Sequence, residues 1–327
     1  MKVLVTGASG FLGSHVAEQL KRDGHDVRCL VRKSSDRSFL DKLGVELAFG
    51  AVEDKDAVAA AGKDVDAIVH SAGLVKAKRP EDFVATNVEG TRNLLEVALD
   101  RRRHVRRFVF VSSLAAHGPT SDGAPIALDA EPSPVTHYGR SKLAAERLVA
   151  EQKDDLALTV IRPPAIYGPR DREMLTFFEA VSKRFVPVLG DGTQKLSVIY
   201  GEDAAAACVK ALLVDHESGR AYYVEDGEVY TQPQMAEMLE EAYGKRALKL
   251  RVPFGVVRVA SHLSQLYGKA RDRAVMLTPD KVNELEAPHW VCSAEPIRKE
   301  LGWSHTVTWR EGAQRTADWY RREGWIA

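Results

Sequence analysis

Three cysteines in 327 residues, Cys29, Cys208 and Cys292, are too few and too scattered for a disulfide framework. They form no C-x-x-C pair, so nothing indicates a zinc site, and their usage fits a reducing compartment. Net charge is missing too. Forty-six basic residues balance 46 acidic ones, leaving no global basic field to hold a phosphate backbone, so no nucleic-acid partner is expected. The basic run "RRRHVRR" at 101–107 reads as a solvated helix end, where cations suit the dipole. No run approaches roughly 18 uninterrupted apolar residues, so no membrane span is expected. The opening "MKVLVTG" has neither the basic region nor the long apolar core of a secretory leader. A cytoplasmic location is the expectation.

What is present is alternation. Apolar, β-branched runs at 2–6, 26–31, 45–50, 66–73 (with its turn), 107–113 and 156–163 predict strands. Between them, segments at 10–24, 56–65, 82–100 and 136–152 carry helical patterns, with Ser133 and Pro134 expected as cap and first-turn residues of the last. Mostly apolar strands separated by helices indicate an α/β fold, a Rossmann-type doubly wound parallel sheet covered on both faces. After about residue 169 the pattern changes to helices at 173–184, 231–244 and 252–269 among Pro- and Gly-rich loops. The expected division is a dinucleotide-binding domain over 1–168, rejoined by about 195–230. A smaller, mainly helical substrate region then comprises 169–194 and 231–327. The apolar stretch at 252–266 either favours an apolar substrate or is ordinary core, and reads as core for most of its residues.

"TGASGFLG" at 6–13 follows a strand and heads a helix. Gly7, Gly10 and Gly13 permit a tight turn and a close approach of backbone amides to an anion, and the helix N-terminus adds free donors and a positive dipole end. This spacing differs from G-x-G-x-x-G but suits a pyrophosphate. About 20 residues on, where an acid would bind the ribose of NAD, the second strand ends in Arg32, Lys33, Ser34 and Ser35. An Arg there suits a 2′-phosphate and favours NADP(H); with Arg32 stacked on adenine instead, NAD(H) would serve. Tyr138 and Lys142 lie four apart, on one face of a helix. A fixed cation beside a phenol pulls down its pKa of about 10.

"TGASGFLG", "VSSLAAHG" and "YGRSK" together resemble, in order and spacing, the extended short-chain dehydrogenase/reductase family, also called the NAD-dependent epimerase/dehydratase superfamily. "HSAG" (70–73), "TNVEGTRNLLEVA" (86–98), "IRPPAIYGPRD" (161–171), "VIYGEDAAAACVKAL", "ELGW" and "GWI" extend the resemblance over nearly the whole chain. It implies a Ser-Tyr-Lys site. Ser113, rather than Ser112, would donate to the substrate oxygen, Tyr138 would transfer the proton, and Lys142 would tune Tyr138 and hold the nicotinamide ribose. Asn87 either supports a proton relay through water or is a buried helix amide bonded to backbone. Cofactor contacts are implied at Ser9, Phe11, Leu12, Val52, Ala72 and Pro163 beside the glycines and Arg32. Two departures stand out. Ala51 replaces the acid that usually meets adenine, leaving Asp54 as the later carboxylate, and Pro164 and Ala165 stand where nucleotide-sugar enzymes often place an Asn before Tyr-Gly-Pro. The second is similar to the dihydroflavonol reductase, 3β-hydroxysteroid dehydrogenase and hopanoid-associated branch.

The expected function is therefore an NADP(H)-dependent oxidoreductase that reduces a ketone, or oxidises a secondary alcohol, of a mainly apolar small molecule. The competing reading is a nucleotide-sugar epimerase or dehydratase with tightly bound NAD, for which Arg170, Arg172 and Lys195 would supply diphosphate donors. A non-catalytic dinucleotide-binding protein is a third, opposed by the intact Ser113, Tyr138 and Lys142. A homodimer through the helices at 82–100 and 136–152 is expected from the family.

Overall fold

The computed structural model describes residues 1–100 and 104–326. Six strands come first: β1 (Lys2–Thr6), β2 (Asp26–Val31), β3 (Glu46–Phe49), β4 (Ala67–His70), β5 (Arg107–Val111) and β6 (Ala157–Arg162). Short strands β7 (Ala165–Tyr167), β8 (Phe185–Leu189), β9 (Lys195–Leu196) and β10 (Val198–Tyr200) precede β11 (Arg220–Tyr223), and β12 (Tyr230–Thr231), β13 (Leu248–Val252) and β14 (His289–Trp290) complete the order. The main sheet is parallel throughout and runs β11-β6-β5-β4-β1-β2-β3. The chain moves outward from β1 to β3 and then crosses back to β4. Beyond the carboxyl ends of β1 and β4 lies the switch point where such sheets hold ligands.

Strand alternation divides the core in two. Val3 and Val5 of β1, Val69 of β4 and Val109 of β5 face the helices Phe11–Arg22 and Gly201–Leu213. Leu4, Ile68, Phe108 and Phe110 face the opposite layer, where Leu94, Leu95, Val97 and Ala98 of the helix Gly90–Leu99 and Ala145 and Val149 of the helix His137–Ala150 pack. These apolar residues of the two helices expected at a dimer contact are thus turned onto the sheet.

Several local expectations change. The helix expected over 82–100 is composite: Pro80–Phe83, a π-helical Val84–Glu89, then Gly90–Leu99. The wider turn brings consecutive residues Thr86, Asn87 and Val88 inward together. Thr136, not Ser133, caps the next helix, accepting from the Gly139 N–H at 3.1 Å. Ser133 instead ties the preceding loop to His117 by its backbone N–H (2.9 Å). Of the basic run at 101–107, Arg101, Arg102 and Arg103 lie outside the described residues, while Arg107 begins β5 and pairs with Asp215 at 3.1 Å. The part of the chain after about residue 169 also carries more strand than expected, with β8 paired to β13 and a small β12-β9-β14 sheet. The reading of 252–266 as core is overturned. The helix Phe254–Ala270 buries Val257, Ser261 and Gly268, while Val256, Val259, Leu263, Leu266 and Tyr267 are 57–64% exposed. An apolar pattern reports one face of a helix but not which side is turned inward.

A buried ion pair fixes the helix His137–Ala150 against the sheet. Glu146 Oε1 accepts from His117 Nε2 (3.2 Å), from Arg162 Nε (3.1 Å) and from a second Arg162 nitrogen. The two side chains of the pair, Glu146 and Arg162, are only 9% and 8% exposed. Burial alone would raise the carboxyl pKa, but the bonds from His117 and Arg162 and the guanidinium charge outweigh it and hold the group at about 2. The stability this adds is fully present above the ordinary value of 4.5 and drains as the pH falls through about 2. Glu146→Gln is expected to cost ~3–5 kcal/mol near neutral pH, because it leaves Arg162 buried without its counter-charge. In urea unfolding, the gap between variant and wild type should shrink by ~2 kcal/mol at about pH 3. A gap unchanged between the two pH values would refute the account.

Candidate active site

The loop after β1 is built so closely that only glycine fits it. Gly7 has φ +73°, and a Cβ there would lie 2.7 Å from the Ala72 nitrogen. A Cβ on Gly13 would lie 2.3 Å from the Gly7 carbonyl oxygen. Gly10 donates its N–H to Gly7 O at 2.9 Å and is the N-cap of the helix Phe11–Arg22, with no side-chain hydrogen bond to its first N–H groups. No acidic residue occupies that turn, so its N–H groups and dipole end remain for an anion. The cradle fits a dinucleotide pyrophosphate.

A hydrogen-bonded chain fixes the wall opposite the loop. Thr6 Oγ1 accepts from the Ala72 N–H (3.2 Å) and meets His70 Nδ1 (2.7 Å), His70 Nε2 meets Thr91 Oγ1 (3.0 Å), and Thr91 donates to the Asn87 carbonyl (2.6 Å). Since Thr91 gives its proton to Asn87, His70 must carry its proton on Nε2 and accept from Thr6 on Nδ1. Burial, aided by the Lys142 charge, lowers the His70 pKa to about 3 and keeps the ring neutral.

These walls open into one cavity of about 1560 Å³. Every cofactor or catalytic residue expected from the sequence lines it except Asn87: the glycine loop, Arg32, Val52, Ala72, Ser113, Tyr138, Lys142 and Pro163. Asn87 sits behind the wall. Its Oδ1 accepts from the Leu74 N–H (2.7 Å), and its Nδ2 donates to Leu74 O (3.1 Å) and Ser141 Oγ (2.8 Å). Of the two alternatives for Asn87, this geometry is the buried amide bonded to backbone.

Ser113 caps the short 3₁₀ turn Leu114–Ala116, and its Oγ accepts from the Ala115 N–H at 3.1 Å. Lys142 directs its ammonium at the Val111 carbonyl (2.6 Å) and lies 4.7 Å over the Phe110 ring. Burial lowers its pKa to about 8, against an upward pull from Glu146. Tyr138 does not show the downward shift expected from Lys142. Burial raises its pKa, a Ser113 hydrogen bond opposes the rise, and the carboxylates of Glu284 and Glu173 add to it.

Just after β2, Arg32 is half exposed and pairs with Glu53 at 3.0 Å. Thr86 donates to the same carboxylate oxygen. Glu53 was not foreseen, since only the fold brings its loop beside Arg32. Asp54 is the N-cap of the helix Lys55–Ala61, accepting from Asp56 N (3.0 Å) and Ala57 N (3.1 Å). Val52 is buried, and its carbonyl accepts from Asn93 Nδ2 at 2.9 Å.

Away from the glycine loop the cavity is lined by Met174, Phe177, Leu196, Met276, Leu277 and Trp290, with the charged Glu173, Lys281 and Glu284 among them. These also lay beyond sequence reasoning, because no motif marks loop residues that converge only in the fold. Of the three cations named for a diphosphate, Lys195 does not line the cavity. Arg170 is engaged with His15 Nδ1 (2.6 Å) and Glu18 (2.8 Å), and Arg172 lies 4.9 Å over the Trp325 ring.

Residues 3–224 match the NAD dependent epimerase/dehydratase family. The chain is 31% identical to ceramide reductase of Caulobacter vibrioides, covering 99% of this chain and 96% of that protein. It is also 31% identical to 3 beta-hydroxysteroid dehydrogenase/Delta 5-->4-isomerase of Mycobacterium tuberculosis, over 98% and 90% of the two chains. Among solved structures, the NAD complex of UDP-glucose 4-epimerase from Thermus thermophilus superposes with a TM-score of 0.79 at 26% identity, covering 98% of this chain and 99% of that one. The chain belongs to the NAD dependent epimerase/dehydratase family and is an NAD(P)-dependent oxidoreductase of the extended short-chain dehydrogenase/reductase type.

Proposed function

We propose that this oxidoreductase uses NADP(H) to reduce a ketone, or oxidise a secondary alcohol, on a mainly apolar small molecule. The carrying observation is the apolar far wall of the cavity, from Met174 and Phe177 to Met276 and Trp290. Such a wall gains by desolvating a hydrocarbon body. In this reading residues 169–194 and 231–327 form the substrate region. The relatives support the class, since a ceramide reductase and a 3 beta-hydroxysteroid dehydrogenase are both named for lipid-like molecules. The nucleotide-sugar reading is weakened, because Lys195 is off the cavity and Arg170 is already paired, which leaves Arg172 of the three named donors.

The residues act as follows. Ser113 donates to the substrate oxygen as negative charge develops there. Tyr138 transfers the proton to or from the same oxygen. Lys142 keeps a positive charge beneath that oxygen below about pH 8. The nicotinamide, when bound, supplies or takes the hydride. Asn87 holds the Leu74 backbone against Ser141, and so fixes the loop after β4 to the helix that carries Tyr138 and Lys142.

Tyr138→Phe should lower kcat by ~10²–10⁴-fold while leaving NADPH affinity nearly unchanged, as read from steady-state kinetics and cofactor fluorescence. Near wild-type kcat in the variant would remove Tyr138 from the mechanism.

Arg32 is proposed to hold the 2′-phosphate by charge-assisted hydrogen bonds, exchanging Glu53 for it. Arg32→Asp should weaken NADPH binding by ~1.5–3 kcal/mol and change NADH binding much less. Calorimetric dissociation constants for both cofactors decide the point, and wild-type protein that binds NADH as tightly as NADPH would overturn the assignment.

A further inference from the structure

The helix Phe254–Ala270 presents its apolar side to the outside. At 100° per residue, Val256, Val259, Leu263, Leu266 and Tyr267 fall on one face together with the exposed Ala260 and Ala270. No polar residue interrupts that face. The buried face, with Val257, Ser261 and Gly268, is the opposite one. A row of large apolar side chains 57–64% exposed marks an interaction surface, because water gains nothing from it.

The charges around the stripe choose its occupant. Residues 251–271 contain Arg251, Arg258, Lys269 and Arg271 and no Asp or Glu, although the whole chain is neutral. Arg258 is paired with Glu286, while Arg251, Lys269 and Arg271 are exposed. An apolar face edged by cations is the pattern of a helix lying in the headgroup plane of an anionic bilayer, with long basic side chains reaching phosphate. A second copy would bring the same cations together with no acid on this helix to meet them. Among the described residues no helix is long and apolar enough to cross a membrane, so contact of this kind is interfacial.

The surface also adjoins the cavity. The chain leaves the helix through Val275, Met276 and Leu277, and the last two line the main cavity. A smaller recess joins Gln265 and Val275 to Tyr138. We propose that the helix Phe254–Ala270 docks the protein on an anionic lipid surface, apolar face down, so that an apolar substrate passes from lipid into the cavity beside Met276 and Leu277. The passage of substrate rests on the apolar-substrate reading above; the docking does not.

The test is cosedimentation of the whole chain with phosphatidylglycerol-containing vesicles and with pure phosphatidylcholine vesicles. Wild type should bind the anionic vesicles at least about tenfold more tightly than the neutral ones and should be released by high salt. Val259→Glu combined with Leu263→Glu should weaken vesicle binding by about tenfold or more, with NADPH binding and Tm unchanged, since both side chains are exposed. Wild type that ignores anionic vesicles, or a double variant that binds them equally, overturns the proposal. So does a lipid-free wild-type dimer that becomes monomeric in the double variant by sedimentation, because a second copy then covers the face. Failure of the apolar-substrate reading would appear instead in turnover with soluble and apolar ketones, leaving the vesicle result untouched.

Discussion

Glu146 carries a charge inside the protein, and a carboxylate there without partners would cost several kcal/mol. Arg162 and His117 meet it from β6 and from the segment after β5, so one side chain joins three pieces of chain. Lys142 lies one helical turn before Glu146, and Tyr138 one turn before that. The pairing therefore sets how far the helix His137–Ala150 can slide or roll against the sheet, and with it the positions of the phenol and the ammonium. Arg162 also lies 5.3 Å over the Tyr223 ring, which links the anchor to the edge strand β11.

Much of this could be read from the residues because the signals are local. The runs in β1, β2, β4, β5 and β6 are apolar and β-branched, and a parallel sheet buried on both faces needs little else. Gly7 and Gly13 announced a cradle by type and spacing, and the structure shows the contacts a Cβ would make there. Where the reading erred, the deciding contact was remote. Thr136 displaced Ser133 as a cap because His117 holds the Ser133 backbone elsewhere. Asp54, left as the later carboxylate of its motif, satisfies two helix N–H groups. The sign of the Tyr138 shift depends on burial and on Glu284 and Glu173, which are distant in sequence. Periodicity marked Phe254–Ala270 as amphipathic but carried no information on which face meets the protein.

The cavity has two ends of different character. Its cofactor end is fixed by backbone contacts and by a closed chain of hydrogen bonds from Ala72 through Thr6, His70 and Thr91 to Asn87. Its far end carries flexible or flat apolar side chains, Met174, Met276, Phe177 and Trp290, beside Glu173, Lys281 and Glu284, on loops and short elements. Methionine adapts its shape at little cost. Orientation of the reacting groups and accommodation of the substrate body are thus assigned to separate parts of the chain.

The glycine cradle leaves no spare volume. A methyl group at Gly7 or Gly13 would overlap backbone atoms that cannot move aside. Arg32, by contrast, is half exposed, and the described contacts of its side chain run to Glu53 alone. Mutational drift is thereby channelled. The glycine positions are closed to substitution, whereas Arg32 is open to exchange, its partner Glu53 being also held by Thr86. On the proposed NADP(H) reading, a lineage built on this chain could exchange one dinucleotide for the other at Arg32 while Ser113, Tyr138 and Lys142 stayed in place.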